Sequence, residues 1–412
     1  MNLYNSIAHF TFLFLKVYAL FNAKIKLFVD GRKKTFQKLS VFRKKDKIIW
    51  FHTASLGEFE QGRPVIEEIK RKYSDYKILI TFFSPSGYEI RKNYELADVV
   101  CYLPFDTKKK VSQFINVIRP KLAIIIKYEF WPNLLHELKR QAVSTLLLSG
   151  IFRKNQIFFT PFGKWMKNSL EAFDHFFVQD EASKKLLAFI HFNNVSVSGD
   201  TRFDRVTTIL EQHHSIPSIS TFKNHQYTVV AGSTWPEDEA LLVRYINDSE
   251  DEKFIIAPHN IHSAGIQKLT TAIQKKTLLF SEKDKYNLSE YQVLIVDTIG
   301  LLAAIYSYAD TAYIGGGFKK GGLHNILEPA TFGIPVVIGP QFSKFKEAVD
   351  LVALKGCFSV KNQQELSSIF RQLKSDKKYR KETGDINQEY VRENKGATNI
   401  IMDYISKKIL PI

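Results

Sequence analysis

Short apolar runs recur along the chain, and segments with helical periodicity separate most of them. In the first half the runs lie at residues 47–52, 77–82, 98–102, 121–126, 143–148, 173–178 and 195–197. In the second half they lie at residues 227–231, 254–257, 293–296, 311–314, 335–338 and 357–360. Strands that are apolar throughout and alternate with helices are typical of a parallel sheet covered by helices on both faces. The pattern therefore predicts an α/β protein.

The interruption between the two sets of strands predicts two Rossmann-like domains, at residues 46–204 and 227–385. A chain of 412 residues is too long for one ordinary domain and suits two of about 200 residues. Residues 205–226 show no strong periodicity and are interpreted as a linker. Residues 386–412 are charged and helix-prone, and we expect them to form a helix that packs back on the first domain. Ligands of such sheets bind where loops leave the carboxyl ends of strands, so we expect the two domains to face each other across a cleft.

The N-terminal segment, residues 1–45, combines aromatic and basic residues. Residues 1–50 hold eleven lysines and arginines against Asp30 and Asp46 only, and residues 10–21 are mostly apolar. The uncharged stretch before Lys16 is shorter than the ~20 residues that span a bilayer, which favours a helix lying on an anionic membrane surface. The alternative is an amphipathic helix packed on the first domain. A cleaved signal peptide is not expected, because the positive charge follows the apolar run.

Composition narrows the classes of partner. The formal charge of +16 indicates an anionic partner, and no RNA-binding module is recognisable, so we expect no nucleic acid. Cys101 and Cys357 lie far apart without the spacing of a zinc site or a disulfide framework, which fits a reducing compartment.

A glycine-rich turn in the second half is the main candidate for a phosphate site. Residues 312–340 read A-Y-I-G-G-G-F-K-K-G-G-L-H-N-I-L-E-P-A-T-F-G-I-P-V-V-I-G-P, a strand that ends at Gly315–Gly317 and a helix predicted to begin near His324. Glycines let backbone N–H groups approach an anion, and a helix N-terminus favours negative charge. Glu328, four residues into the predicted helix, could accept hydrogen bonds from two ribose hydroxyls.

This stretch resembles the donor signature of the 3-deoxy-D-manno-oct-2-ulosonic acid (Kdo) transferases of lipopolysaccharide assembly. The family has G-G-H-N-x-L-E-P-A and I-P-V-x-x-G-P, and Leu323 here replaces a glycine of the family pattern. The resemblance implies the two-domain fold of GT-B glycosyltransferases.

In the first half, H-T-A-S-L-G-E at residues 52–58 resembles the family's H-A-A-S-V-G-E, and the match implies that Glu58 is the catalytic base. A carboxylate on the loop after a strand could take a proton from an acceptor hydroxyl. The alternative is a helix-capping carboxylate stabilised by the dipole. K-Y-E-F-W-P-N at residues 127–133 resembles E-T-E-L-W-P-N and retains Glu129, whereas Lys127 replaces an acid.

Weaker matches complete the candidate site. The expected acceptor-side residues are Ser55, Gly57, Glu129, Arg153 and Arg202. The expected donor-binding residues are Ser233, Thr234, Pro258, His259, Asp297, Gly300, Gly315, Gly316, Gly317, Asn325 and Glu328. Lys319, Lys320 and Lys346 are further candidates for neutralising the leaving group. No Asp-x-Asp metal motif occurs, so we expect no metal and no cofactor.

The resemblance implies an inverting transferase that moves Kdo from CMP-Kdo to a lipid A precursor, lipid IVA, at the cytoplasmic face of the inner membrane. Two alternatives remain at this point. One is another GT-B nucleotide-sugar enzyme, either a UDP-sugar transferase or an epimerase, and the identity of the released nucleotide would distinguish it. The other is a non-catalytic membrane-associated scaffold, against which stand the retained Glu58, Glu129 and Glu328.

Overall fold

The computed structural model describes residues 2–211, 215–319 and 322–411. The chain divides into two compact units, one formed by Met1–Arg205 with Lys395–Ile412 and the other by Val206–Asn394. Each unit contains a seven-stranded sheet in which all neighbouring strands are parallel. The predicted α/β class with two Rossmann-like domains is therefore confirmed.

The first sheet has the strand order β3-β2-β1-β4-β5-β6-β7. Its strands are β1 Ile48–Thr53, β2 Lys77–Phe82, β3 Val99–Tyr102, β4 Leu122–Ile126, β5 Ser144–Gly150, β6 His175–Val178 and β7 Val195–Val197. The helices up to the unit boundary are α1 Asn2–Tyr18, α2 Ala23–Lys33, α3 Thr35–Leu39, α4 Leu56–Lys72, α5 Pro85–Arg91, α6 Lys108–Ile118, α7 Pro132–Arg140, α8 Lys164–Ser169, α9 Glu181–Phe189 and α10 Arg202–Glu211. Strands β1 and β4 are neighbours, so the loops that follow them leave the sheet side by side.

The second sheet has the order β10-β11-β9-β8-β12-β13-β14. Its strands are β8 Thr228–Thr234, β9 Lys253–Pro258, β10 Thr277–Leu279, β11 Val293–Ile295, β12 Thr311–Ile314, β13 Val336–Ile338 and β14 Cys357–Ser359. The remaining helices are α11 Pro217–Lys223, α12 Pro236–Asp248, α13 Ser263–Ala272, α14 Leu302–Ile305, α15 Leu327–Thr331, α16 Lys346–Ala353, α17 Gln363–Ser375, α18 Lys377–Asn394 and α19 Ala397–Tyr404. Helix α10 crosses the boundary between the two units, and α19 belongs to the first unit.

The strands are apolar throughout because both faces of each sheet are covered. All six residues of β1 are buried. Ile48 and Trp50 contribute to the hydrophobic cluster on one face of the first sheet, whereas Ile49 and Phe51 contribute to the cluster on the other face. Successive side chains of a strand point to opposite faces, so a strand that is buried on both sides has no polar positions to alternate with.

The C-terminal residues return to the first sheet. Ile401, Met402 and Ile405 are buried in one of its two clusters, and the Tyr73 hydroxyl donates to the Leu410 carbonyl at 3.0 Å. The boundary differs from the expected position after residue 385, because α18 continues without interruption to Asn394 and belongs to the second unit as a whole.

Three further features differ from the sequence-based expectation. Strand β10, Thr277–Leu279, was not predicted. The expected linker, residues 205–226, contains most of α10 and all of α11, while His213 and His214 lie outside the described residues. Helix α15 begins at Leu327 rather than near His324, so Glu328 is its second residue.

The N-terminal helices pack on the first domain through one face and expose the other. Phe12, Leu15 and Ile25 pack against a small buried cluster that includes Phe28 and Phe105. The Tyr4 hydroxyl also donates to the buried Asp106 at 2.6 Å, which fixes the start of α1. Large apolar side chains point away from this contact, and the exposed ones are Ile7, Phe10, Leu13, Phe14, Val17, Tyr18, Leu20, Phe21 and Leu27. Within the described ranges, no helix has the length and apolar character needed to cross a membrane.

Candidate active site

Glu58 lies just beyond the carboxyl end of β1, in the first turn of α4. It is the third residue of a helix that begins at Leu56 and has Ser55 as its N-cap. Because the helix starts two residues before it, Glu58 lies in the first helical turn rather than in the loop after the strand. The Glu58 carboxylate turns back and accepts a hydrogen bond from the Ala54 backbone N–H. This bond satisfies one of the unpaired donors at the helix start and fixes the carboxylate beside the end of the strand.

Burial dominates the electrostatics of Glu58. Burial, together with the nearby charge of Glu129, raises the pKa of this carboxyl to about 7. The Ala54 N–H, His52 and Lys127 act in the opposite direction and are included in this net value. Burial has this effect because a charged group loses hydration when it leaves water. A carboxyl group with a pKa near the working pH can accept a proton and release it again, which is what a general base requires. Helix capping and a basic carboxylate are thus combined in one residue.

Glu129 has the opposite character. It follows β4 and is buried, and its Oε2 lies 3.1 Å from His52 Nε2 and accepts the Trp131 indole N–H at 2.8 Å. Burial would raise the pKa of Glu129, but the His52 and Trp131 hydrogen bonds and the charge of Arg32 outweigh it, and the net direction is downward. Glu129 is therefore a fixed negative charge next to Glu58 rather than a proton acceptor.

His52 connects Glu129 to the interior of the sheet. Its Nδ1 lies 2.8 Å from the Thr81 hydroxyl, which also receives the Trp50 indole N–H at 2.8 Å. All three of these side chains are fully buried. A carboxylate can only accept hydrogen bonds, so the proton of a neutral His52 belongs on Nε2, facing Glu129. Sequence reasoning missed His52 and Thr81, although His52 opens the motif that contains Glu58.

The other acceptor-side candidates differ in their exposure and in the residues that they contact. Arg153 is exposed, and its guanidinium lies 3.4 Å from the Tyr128 hydroxyl and near that ring. Arg202 forms an ion pair with the buried Asp200 at 2.8 Å. A Cβ atom added at Gly57 would meet nothing within 4 Å. Packing therefore does not require glycine at position 57, and the space in front of it is open to a ligand.

In the second domain, the donor-side candidates lie at the carboxyl ends of several strands. Ser233 and Thr234 end β8, Pro258 ends β9, Asp297 follows β11, and Gly315 follows β12. In the sheet order, β8 is adjacent to both β9 and β12, whereas β11 is three places away from β12. The structure accordingly brings the β8, β9 and β12 loops together. Asp297 instead accepts hydrogen bonds from the backbone and hydroxyl of Ser281.

The glycine-rich turn is shaped by protein packing. A Cβ at Gly315 would lie 2.3 Å from the Ser233 carbonyl oxygen, and one at Gly317 would lie 2.5 Å from the Gly339 backbone nitrogen. Gly316 has a φ of +89°, which side chains other than hydrogen disfavour. These three glycines are thus needed for the loop to pack against its neighbours. At Gly300, by contrast, φ is +97° and a Cβ would meet nothing within 4 Å, so that position is open.

Asp238 fixes the glycine-rich turn to the start of α12. Its carboxylate accepts the backbone N–H groups of Trp235 and Gly316 and the hydroxyl of Tyr313, at 2.8 to 2.9 Å. The Thr234 hydroxyl donates to Glu239 at 3.0 Å. The start of α12 is thus occupied by its own acidic residues, and the Thr234 hydroxyl is used in this contact rather than offered to an anion. Asp238 was missed, although its place three residues after Trp235 is that of a capping carboxylate.

Glu328 and Asn325 lie together at the start of α15. The Asn325 amide donates to Glu328 Oε1 at 3.3 Å, while its oxygen accepts the Leu327 N–H at 3.2 Å. Glu328 also lies near the phenol of Tyr306: burial raises the pKa of this phenol well above its usual range, and the Glu328 charge adds to the effect. Lys320 lies outside the described residues. In the described parts of the chain, no group of three or more His, Cys, Asp or Glu side chains could hold a metal ion.

Comparison with known proteins shows which enzymes this chain resembles. Residues 30–205 match the family model described as "3-Deoxy-D-manno-octulosonic-acid transferase (kdotransferase)". The 3-deoxy-D-manno-octulosonic acid transferase of Haemophilus influenzae is 28% identical over 382 residues, covering 87% of this chain and 86% of that protein. The enzyme of the same name from Aquifex aeolicus is 29% identical over 338 residues, covering 80% and 87%. Over most of its length, this chain is similar to Kdo transferases. It is a glycosyltransferase.

Solved structures show the same architecture as this chain. UDP-GlcNAc 2-epimerase from Neisseria meningitidis superimposes with a TM-score of 0.60 at 15% identity. The match covers 88% of this chain and 100% of the epimerase chain. MurG from Acinetobacter baumannii gives a TM-score of 0.57 at 9% identity, covering 88% and 99%. At such low identity the likeness shows the fold alone, and this fold is the two-domain GT-B architecture.

Proposed function

We propose that this glycosyltransferase transfers Kdo from CMP-Kdo to a lipid A precursor such as lipid IVA, with Glu58 as the catalytic base. The observation that carries the proposal is the pair of carboxylates beside β1 and β4. Burial raises the pKa of Glu58 to about 7, whereas hydrogen bonds and charge overcome burial to lower the pKa of Glu129. Two neighbouring carboxylates whose pKa values differ in this way can divide the roles of proton acceptor and fixed charge.

The reaction is a single displacement. The acceptor hydroxyl loses its proton to the Glu58 carboxylate as its oxygen attacks the anomeric carbon of Kdo. The bond between that carbon and the phosphate oxygen breaks, CMP leaves with the electron pair, and the configuration inverts. Glu129 favours proton transfer because its charge raises the basicity of Glu58. Lys127, whose charge also acts on Glu58, stabilises the deprotonated form before the acceptor arrives.

The donor is assigned to the second domain. Glu328 offers a carboxylate to the ribose hydroxyls, and Asn325 supports it through the 3.3 Å hydrogen bond between the two side chains. Gly300 provides open space. We expect Ser233, whose φ of +54° is unusual for a residue with a side chain, to contact the donor as well.

The direct test is mass spectrometry of a lipid A precursor incubated with the protein and CMP-Kdo generated in situ. Addition of Kdo with release of CMP supports the proposal. A parallel incubation with UDP-GlcNAc tests the other nucleotide-sugar activities of this fold. Release of UDP or epimerisation of the sugar, without Kdo transfer, would overturn it.

The pH dependence of the reaction follows from the Glu58 carboxyl. Because its pKa is raised to about 7 and the base must be deprotonated, we expect kcat/KM to rise about tenfold per pH unit below pH 7 and to level off above it. The measurement is the initial transfer rate at low donor concentration across this range. A profile that stays flat well below pH 6 would contradict the assignment of Glu58 as the base.

The pH profile of the Glu129→Gln variant tests the same assignment in a second way. The Glu129 charge raises the pKa of Glu58, so its removal should move the midpoint of the profile to lower pH. A loss of rate without any shift of the midpoint would show that Glu129 acts only through structure.

We also propose that the exposed face of α1 and α2 lies on the cytoplasmic surface of the inner membrane. Phe10, Phe14 and Phe21 are 73%, 66% and 81% exposed, and Lys16 and Lys24 are exposed among them. An apolar face rimmed with lysines suits the boundary between acyl chains and anionic headgroups. A lipid-linked acceptor would be held at the same surface.

Replacement of these three phenylalanines by serine should weaken binding to anionic vesicles about 100-fold or more, because each buried aromatic side chain contributes about 1.5–3 kcal/mol. Point changes are preferred to deletion, since deletion would also expose Phe105 and remove the Tyr4 partner of Asp106. Co-sedimentation at low and high salt measures the effect. Phe189→Ser is the matched control, because Phe189 is 75% exposed on a different helix. Equal loss in the control would contradict the proposal.

A further inference from the structure

An aromatic cluster lies where the loops after β8, β9 and β12 meet. The Trp235 ring stacks on the His259 ring with centroids 4.4 Å apart and an interplanar angle of 26°. The Trp235 indole N–H donates to His324 Nε2 at 3.1 Å, and the two imidazoles are 4.5 Å apart. The ammonium group of Lys319 lies 3.7 Å from the Trp235 ring centroid. Four residues from three loops therefore form one cluster.

At neutral pH, the charge in this cluster is the positive charge of Lys319. Burial lowers the pKa of His324 to about 4, and the neighbouring His259 lowers it as well. Burial and the charge of Lys319 lower the pKa of His259. Both imidazoles are thus neutral, and the cation that the described residues place in this cluster is the Lys319 ammonium.

The position of Lys319 is fixed at both ends. Its backbone N–H donates to the Gly316 carbonyl at 3.0 Å, which places it in the glycine-rich turn. Its ammonium rests on an indole whose orientation is set by His324 and by the Asp238 contact to the Trp235 backbone. The ring attracts a cation that lies over its face. This attraction favours one rotamer of Lys319 without preventing contact with an anion.

We propose that Lys319, positioned by Trp235, binds the phosphate of the CMP-sugar donor and of the CMP product. The inference rests on the proposed function and assigns its phosphate subsite. Loops at the carboxyl ends of parallel strands are where phosphates bind in α/β domains, and Lys319 stands in such a loop. The neutral aromatic surroundings exclude water from one side of the ammonium, which strengthens its attraction to an anion. Trp235 is a positioning residue, since it acts through Lys319.

The test compares ligands with and without phosphate. Isothermal titration calorimetry of the full-length protein should show that Lys319→Gln weakens CMP binding at least about tenfold, because a charge-assisted contact is lost. Cytidine binding should not change, and the KM of the donor should rise while that of the acceptor stays constant. Lys378→Gln is the matched control, because Lys378 carries the same charge on the exposed surface of α18 in the same domain.

Trp235 is tested through Lys319. Trp235→Leu should weaken CMP binding to a similar degree, Trp235→Phe should restore most of it, and the double variant of Trp235→Leu with Lys319→Gln should be no weaker than Lys319→Gln alone. A merely structural role of Trp235 would instead weaken cytidine equally and would not depend on Lys319.

Four outcomes would overturn the inference. Equal loss of CMP and cytidine binding in Lys319→Gln would indicate a folding defect of the loop. Unchanged CMP binding with a raised donor KM would assign Lys319 to the Kdo carboxylate. Unchanged binding of both ligands, in a protein whose wild type binds CMP, would remove Lys319 from the site and leave the proposed function intact. Failure of the wild type to bind CMP would overturn the proposed function as well.

Discussion

Glu58→Gln is expected to lower the rate of Kdo transfer by about 10²–10⁴-fold, the usual contribution of a general base. The amide has the shape of the carboxylate but cannot accept a proton. The remaining activity should no longer rise through pH 7, because the group that titrates there has been removed. CMP binding should stay within about twofold of the wild type, because Glu58 lies in the first unit and the donor is assigned to the second. The measurements are single-turnover transfer and CMP titration.

Two controls separate chemistry from folding in this variant. The Glu58 carboxylate accepts the Ala54 N–H, and the glutamine oxygen can still accept it, so the start of α4 should be preserved. Glu68→Gln removes a carboxylate from the same helix, where it pairs with Arg71 on the surface, and should leave the rate unchanged. Retention of more than about half of the wild-type rate in Glu58→Gln would eliminate this residue as the base, given the loss expected from its removal.

Glu328→Ala is expected to raise the KM of the donor by about 10–100-fold, because a hydrogen bond to a charged acceptor contributes about 1.5–3 kcal/mol. The KM of the acceptor should stay constant. The sharper readout is the preference for CMP over its 2′-deoxy form, which the variant should lose if the carboxylate accepts from the ribose. Glu382→Ala on the exposed surface of α18 is the control. A variant that keeps the full ribose preference would contradict the assignment.

The strands of both sheets were predictable because they are buried on both faces. Runs such as the one that forms β4, Leu122–Ile126, have no polar residue within the strand, and their order along the chain with intervening helices specifies parallel pairing. Strand β10 and the helices of the expected linker escaped prediction. Short elements are stabilised by their neighbours rather than by their own periodicity, so a local pattern cannot reveal them.

The motif residues were likewise visible in the sequence, but not what each one contacts. The sequence pattern placed Gly315, Gly316 and Gly317 in one turn and predicted a phosphate site there. The structure shows that Ser233, Gly322 and Gly339 backbone atoms occupy the space that side chains there would need. Contacts of this kind join residues far apart in the chain, and only the folded backbone determines their distances.

The sequence by itself therefore determined the fold class, the resemblance to Kdo transferases and the identity of the residues that carry charge. The tertiary structure alone decided how those charges behave. Glu58 and Glu129 are the same amino acid, but burial raises the pKa of one, while the partners His52 and Trp131 outweigh burial for the other. The cluster of Trp235, His259, His324 and Lys319 likewise exists only after three loops have met. The physical reason is that desolvation and hydrogen bonding depend on neighbours in space, which long-range packing selects and local sequence does not encode.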